Sequence, residues 1–101
     1  MRVFAGSPAH ELIIRNNYFG SVLDLIGNTP LIELSRLGHP SEAKVFAKAE
    51  FLNPSGSIKD RMVHYAVESA ERSGLLGKGD TIVEASSGNT GVSVAMIAAV
   101  K

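Results

Sequence analysis

The sequence has no cysteine and no tryptophan, and aromatic residues make up 6% of its 101 positions. Without cysteine, a disulfide scaffold and a Cys-ligated metal site are both excluded. An excess of one charge is lacking too, because ten basic and ten acidic side chains cancel to a formal net charge of zero. That balance argues against nucleic acid as a partner, since phosphates call for a basic surplus. No stretch reaches the roughly eighteen uninterrupted apolar residues of a membrane span, so no membrane partner is expected. The opening Met1-Arg2-Val3-Phe4-Ala5-Gly6 offers no apolar core for a secretion signal. His10, His39 and His64 are scattered, and no metal is expected. With 45% hydrophobic residues the chain is too apolar for a disordered tail. A cytoplasmic globular chain with a real but modest core is the expectation.

What is present reads as alternating strands and helices. Residues 1–20 are weakly patterned and read as an irregular arm. Ser21-Val22-Leu23-Asp24 has capping-box spacing and opens a short helical turn that Gly27 ends. After the turn Asn28-Thr29-Pro30, Leu31-Ile32-Glu33-Leu34 is a strand candidate. Gly38-His39-Pro40-Ser41 marks a loop and a candidate boundary. Lys44 to Glu50 reads as a strand with Val45, Ala47 and Ala49 on one face, while Phe46 breaks the alternation and suggests partial cover on the other. Asn53-Pro54-Ser55-Gly56 is a turn. From Ser57 the period becomes helical, with Ile58, Met62, Tyr65, Ala66 and Ala70 on one stripe and Asp60 largely elsewhere, until Gly74 stops the helix. Gly77-Lys78-Gly79-Asp80 is a turn, Thr81-Ile82-Val83-Glu84 a further strand, and a last helix runs from Val92.

Strand, helix, strand, helix is the unit of a parallel α/β sheet. Here the unit reads as incomplete. Val92 to Val100 is apolar on nearly every side apart from Ser93, so it wants cover all round. A sheet of two or three parallel strands would also leave both edges open. The chain is therefore expected to be the front part of a larger fold.

Two loops could carry chemistry. In Asn53-Pro54-Ser55-Gly56-Ser57-Ile58-Lys59-Asp60-Arg61, Ser57 is a good N-cap and Asp60 completes a capping box. Lys59 then lies in the first helical turn, where the positive end of the dipole disfavours an ammonium. A neutral amine is a nucleophile toward aldehydes. Spacing alone leaves Lys59 open between that role and a solvated surface lysine beside Asp60. Ser86-Ser87-Gly88-Asn89-Thr90-Gly91, between a strand and a helix, aims hydroxyls and backbone N–H groups at one point. Such a loop suits a carboxylate or a phosphate, and equally an ordinary strand-to-helix turn. It lacks the Gly-Lys-Ser/Thr ending of a nucleotide-phosphate loop and the G-x-G-x-x-G of a dinucleotide loop.

Three motifs together resemble the cysteine synthase and cystathionine β-synthase group of pyridoxal-phosphate (PLP) enzymes, fold-type II. They are Ile26-Gly27-Asn28-Thr29-Pro30-Leu31, then Lys48-Ala49-Glu50 with Asn53 through Arg61, then Ser87-Gly88-Asn89-Thr90-Gly91. The resemblance covers about residues 20–101. It implies an α/β fold, the βαβα portion of a parallel-sheet three-layer architecture, incomplete in this chain. Residues 1–40 would be an amino-terminal arm and first strand packing on a large domain. Residues 41–101 would be the first half of the small PLP and substrate domain.

By the same resemblance, Lys59 would be the catalytic residue and hold PLP covalently, and Asn89 would hydrogen-bond the cofactor's ring hydroxyl oxygen. Ser86, Ser87, Gly88, Asn89 and Thr90 would grip the carboxylate of an amino-acid substrate. The family usually has Pro-Thr where this chain has Ala85-Ser86, which keeps the hydroxyl and loses a methyl. The implied activity is β-replacement on an activated serine, foremost cysteine synthesis from O-acetylserine and sulfide, in a homodimer. Cystathionine β-synthase or another β-replacement enzyme is the same-family alternative. An inactive fragment or a binding module is the alternative of another class.

Overall fold

The computed structural model describes residues 18–37 and 43–101. The irregular arm before residue 18 and the candidate boundary at residues 38–41 lie outside the described residues or at their edge. So does most of what would test the division at residue 40.

Local signals place the first elements. Ser21 caps a one-turn 3-10 helix, Val22–Leu25, in a complete capping box: its hydroxyl accepts from Leu23 N–H, and Asp24 accepts from Ser21 N–H at 3.0 Å. Gly27 and Asn28 follow with φ of 94° and 47°, left-handed values that glycine and asparagine tolerate best. The chain then enters strand β1, Leu31–Glu33, which pairs with β2, Phe46–Lys48, in the register Leu31–Lys48, Ile32–Ala47, Glu33–Phe46. Leu34 N–H to Val45 O and Ala49 N–H to Pro30 O, both 2.9 Å, extend the pairing at each end.

This pair is antiparallel, and it is the two-stranded sheet of the described residues. The expected parallel sheet is thus not formed here. Thr81–Glu84 forms no strand and has no strand partner among the described residues, because a strand exists only through a neighbour's hydrogen bonds. Phe46 is 51% exposed, so the expected cover of its face is not supplied by the described residues. On the other face Ala47 and Ala49 are half-buried and buried as the alternation indicates, but Val45 is 43% exposed and the strand is Phe46–Lys48, not Lys44 to Glu50.

Helix α1 spans Lys59–Arg72 and α2 spans Asn89–Val100. Gly74, with φ of 73°, closes α1 in a Schellman motif: Leu75 N–H reaches Ala70 O at 2.9 Å and Gly74 N–H reaches Glu71 O at 3.1 Å. The two helices run side by side and parallel. Asp60 and Ser93 meet near their starts, Val63, Val67 and Ile97 form the apolar core between them, and Glu71 meets Lys101 near their ends. The buried stripe of α1 is therefore Asp60, Val63 and Val67, at i, i+3 and i+7. The stripe Ile58, Met62, Tyr65 expected to be the inner one is at least half exposed. Both stripes are apolar enough to pack, and α2 selects between them.

Helix α2 has its expected all-round apolar surface, yet only Ser93 and Ile97 are buried. Four apolar and five polar residues are buried among those described, so polar contacts carry an unusual share of the interior.

Candidate active site

The residues singled out by sequence sit at the starts of the two parallel helices. Lys59 is the first residue of α1 and half-buried. Asn89 is the first residue of α2 and exposed, and Thr90 next to it is half-buried. Ser86, Ser87 and Gly88 form the exposed approach to α2, where Ser86 Oγ accepts from Gly88 N–H at 3.2 Å. Gly91 leaves room for a close backbone approach: a Cβ there would lie 3.2 Å from the Ser86 carbonyl oxygen, a tight contact that would require a small shift.

Two polar clusters hold this arrangement. The first surrounds Asp60, which is 0% exposed. Its carboxylate accepts from Ser55 N–H at 2.8 Å, from the Ser55 hydroxyl, and from the Ser93 hydroxyl at 2.6 Å. Ser93 lies four residues after Asn89, one turn further along the same face of α2. Asp60 thus ties the turn before α1 and the start of α1 to the first turns of α2. The expected capping box with Ser57 does not form. Ser57 Oγ accepts from Lys59 N–H at 3.2 Å, while Asp60 reaches instead to Ser55 and Ser93.

The second cluster surrounds Glu50 and Arg61. Arg61 Nε donates to Glu50 Oε2 at 2.8 Å, and its guanidinium also donates to Thr29 Oγ1 at 3.0 Å. Thr29 Oγ1 donates to Glu50 Oε1 at 2.7 Å, and Asn53 Nδ2 donates to Glu50 Oε2 at 2.8 Å. Asn53 Oδ1 in turn accepts from Gly27 N–H at 2.9 Å, and Lys48 Nζ donates to the Thr29 carbonyl. The Arg61 and Thr29 hydrogen bonds hold the Glu50 carboxyl down from an ordinary 4.5 to about 2. Gly27 is tied to this cluster sterically as well, since a Cβ on it would meet Arg61 Nη1 at 3.3 Å.

The three sequence motifs are therefore one connected object. Glu50, Arg61, Thr29 and Asn53 join the first to the second, and Asp60 with Ser93 joins the second to the helix that the third begins. Sequence reasoning missed Asp60 and Ser93 in these roles. A signal existed: Ser93 is the one polar side chain within Val92–Val100, and a lone hydroxyl in an apolar helix needs a partner.

Two grooves, of about 680 and 440 Å³, lie along α1, α2 and residues 75–84. Thr90 lines the second, and Lys59, Ser86, Ser87, Gly88 and Asn89 line neither. The Asp60 cluster ties the two helix starts together. Among the described residues no group of three or more His, Cys, Asp or Glu could hold a metal. No helix among them is long and apolar enough to cross a membrane.

Comparison with known proteins gives this geometry its class. The family described as "Pyridoxal-phosphate dependent enzyme" matches residues 22–101. O-ureido-L-serine synthase of Streptomyces lavendulae is 49% identical over 83 residues, covering 82% of this chain and 25% of that protein. A probable cysteine synthase of Bacillus subtilis is 51% identical over 78 residues, covering 77% of this chain and 25% of its own length. The crystal structure of an O-acetylserine dependent cystathionine β-synthase from Helicobacter pylori superposes with a TM-score of 0.73 at 33% identity, over 81% of this chain and 28% of that one. The chain belongs to the pyridoxal-phosphate-dependent enzyme family. Within it the chain corresponds to the amino-terminal portion of the cysteine synthase and cystathionine β-synthase group of fold-type II, about a quarter of the length of the relatives it matches.

The donor set fits part of that family's cofactor. An aldehyde calls for an amine, and Lys59 offers one with no ion-pair partner among the described residues. A ring hydroxyl oxygen calls for a hydrogen-bond donor, which a carboxamide at Asn89 provides. A carboxylate calls for hydroxyls and backbone N–H groups at a helix start, which residues 86–90 provide.

Proposed function

We propose that this chain supplies the cofactor-holding lysine and the substrate-carboxylate loop of a PLP-dependent β-replacement enzyme. It acts on an activated serine, foremost O-acetylserine with sulfide as nucleophile, giving cysteine and acetate in the cytoplasm. The observation that carries the reading is the pairing of Lys59 and Asn89 as first residues of two parallel helices tied at their starts by Asp60 and Ser93. Relatives named for cysteine, O-ureidoserine and cystathionine synthesis match at 51, 49 and 46% identity. Similar identity to relatives named for different products supports a role in the part of the reaction those enzymes have in common, the cofactor and the amino-acid end.

PLP, when bound, supplies an electron sink for the bond broken at the substrate's α-carbon. Each residue of the chain then has a defined task. The Lys59 amine would hold the cofactor aldehyde, and as a free amine it would take the substrate's α-proton at Nζ. Asn89 would hold the cofactor through a hydrogen bond donated to its ring hydroxyl oxygen. Ser86, Ser87 and Thr90, with the amides of Gly88 and Asn89, hold the substrate carboxylate at the positive end of α2. The remaining three quarters of the family's length would close the pocket against water and complete a homodimer. The exposed apolar side chains Leu75 (83%) and Val83 (90%) support the need for such cover.

The test is the visible absorbance of the complete protein with PLP, before and after O-acetylserine. Lys59→Ala abolishes the band and turnover, and Lys59→Arg does the same because a guanidinium stays protonated. Retention of band and turnover in Lys59→Ala refutes the assignment. A protein that never acquires the band, yet folds, favours the binding-module reading.

A further inference from the structure

One buried carboxylate takes no part in the chemistry assigned above. Asp60 is adjacent to Lys59, wholly buried, and hydrogen-bonded to Ser55 and Ser93. We propose that Asp60, acting through Ser93 and Ser55, is a positioning residue that sets the Lys59 amine in register with the Asn89 carboxamide. The inference rests on the function proposed for Lys59 and deepens it.

The argument turns on what each contact between α1 and α2 can specify. Val63, Val67 and Ile97 hold the helices together, but apolar contact is non-directional. A slide by one residue, about 1.5 Å along the axis, would still leave apolar side chains facing one another. The same slide breaks a 2.6 Å hydrogen bond between Asp60 Oδ1 and Ser93 Oγ outright. Burying a carboxylate is costly unless every lone pair is met, so an apolar pair would serve adhesion better. What the polar contact adds is register. It adds it where it matters, one residue from Lys59 and one turn from Asn89. Ser55, whose hydroxyl lies 3.1 Å from that of Ser93, fixes the approach to α1 in the same network.

The test compares variants of the full chain by reductive trapping. The protein is incubated with pyridoxal and borohydride, and labelling at Lys59 is mapped against labelling at the exposed Lys78 in the same sample. Asp60→Asn and Ser93→Ala test the lock. Val67→Ala loosens the same helix interface without touching it, and melting midpoints are recorded for all three. The expected result is a fall of more than threefold in the Lys59:Lys78 ratio for Ser93→Ala and Asp60→Asn. Val67→Ala should lower the melting midpoint while keeping the ratio within threefold of wild type. A ratio kept within threefold in Ser93→Ala overturns the proposal, as does an equal fall in Val67→Ala. If Asp60→Asn does not fold, Ser93→Ala decides, because it removes one hydroxyl and leaves the carboxylate in place. No preference for Lys59 in the wild-type chain overturns the assignment of Lys59 itself, a different failure from a preference that survives Ser93→Ala.

Discussion

Asp60 and Arg61 follow Lys59 in the chain, carry opposite charges, and are held by opposite means. Arg61 meets a counterion: its guanidinium pairs with Glu50 at 2.8 Å, at side-chain exposures of 37 and 17%. Asp60 has no cation within ion-pair range among the described residues. It is met by one backbone N–H, two hydroxyls, and the positive ends of two parallel helices. A charge at the rim can be matched by a mobile side chain and by water. A charge in the interior has only fixed dipoles, so every donor must be in place. The Glu50–Arg61 cluster tolerates adjustment. The Asp60 cluster does not.

The sharpest way to break that contrast is Asp60→Ala. It takes the acceptor from the Ser55 N–H and leaves the Ser55 and Ser93 hydroxyls only each other, and a loss of about 3 kcal/mol is expected. Urea unfolding of wild type and variant measures it. A loss below about 1 kcal/mol would put Asp60 among ordinary surface carboxylates. Gly27→Ala probes the other cluster and should cost less, about 1–2 kcal/mol. Its cost has two sources: φ of 94°, and a Cβ placed 3.3 Å from Arg61 Nη1. An equal loss on combining Gly27→Ala with Arg61→Ala would show that backbone strain alone is responsible.

The Glu50 side of the contrast is visible in pH. Folded, the Glu50 carboxyl titrates at about 2; its ordinary value is 4.5. Between those values the unfolded chain binds more protons than the folded one, so stability from this group rises with pH. It is fully present above about 4.5 and lost as pH falls to about 2. Glu50→Gln removes the titration. The gap in melting midpoint between wild type and Glu50→Gln should be constant above the window and shrink as pH falls through it. A gap that stays constant down to the bottom of the window would mean Arg61 does not hold this carboxylate.

The same contrast explains what the sequence made legible. The capping box at Ser21, the strand at Leu31–Glu33, and the stop at Gly74 depend on residues a few positions apart, and each stands where local spacing puts it. The motif joining Glu50 to Arg61 was visible as a resemblance, and its cluster spans Gly27 to Arg61. The Asp60 lock was not legible. Local rules offer Asp60 a partner three residues away in Ser57, and nothing local prefers Ser93, thirty-three residues on. The inner face of α1 was missed for the same reason. Two apolar stripes compete on that helix, and the choice belongs to α2. Thr81–Glu84 has a strand's composition, but pairing is a property of two segments, and no second one is present among the described residues.

The smallest expected effect lies at the other end of the same two helices. There Lys101 Nζ meets Glu71 Oε2 at 2.6 Å, a distance equal to that of Asp60 and Ser93 at the starts. Equal length does not mean equal worth. The Lys101 and Glu71 side chains are 24 and 38% exposed, so water replaces either partner when the other is lost. An ion pair of this kind contributes about 0–1 kcal/mol and is screened by salt. Lys101→Ala should therefore shift the melting midpoint slightly at low ionic strength, and less in about 1 M salt, where the screening length falls to about 3 Å. Ser93→Ala, at the buried end, should keep its full effect in the same salt. A Lys101→Ala loss that matches Ser93→Ala and survives high salt would mean the helices are registered from both ends, and the special standing of the Asp60 end would go.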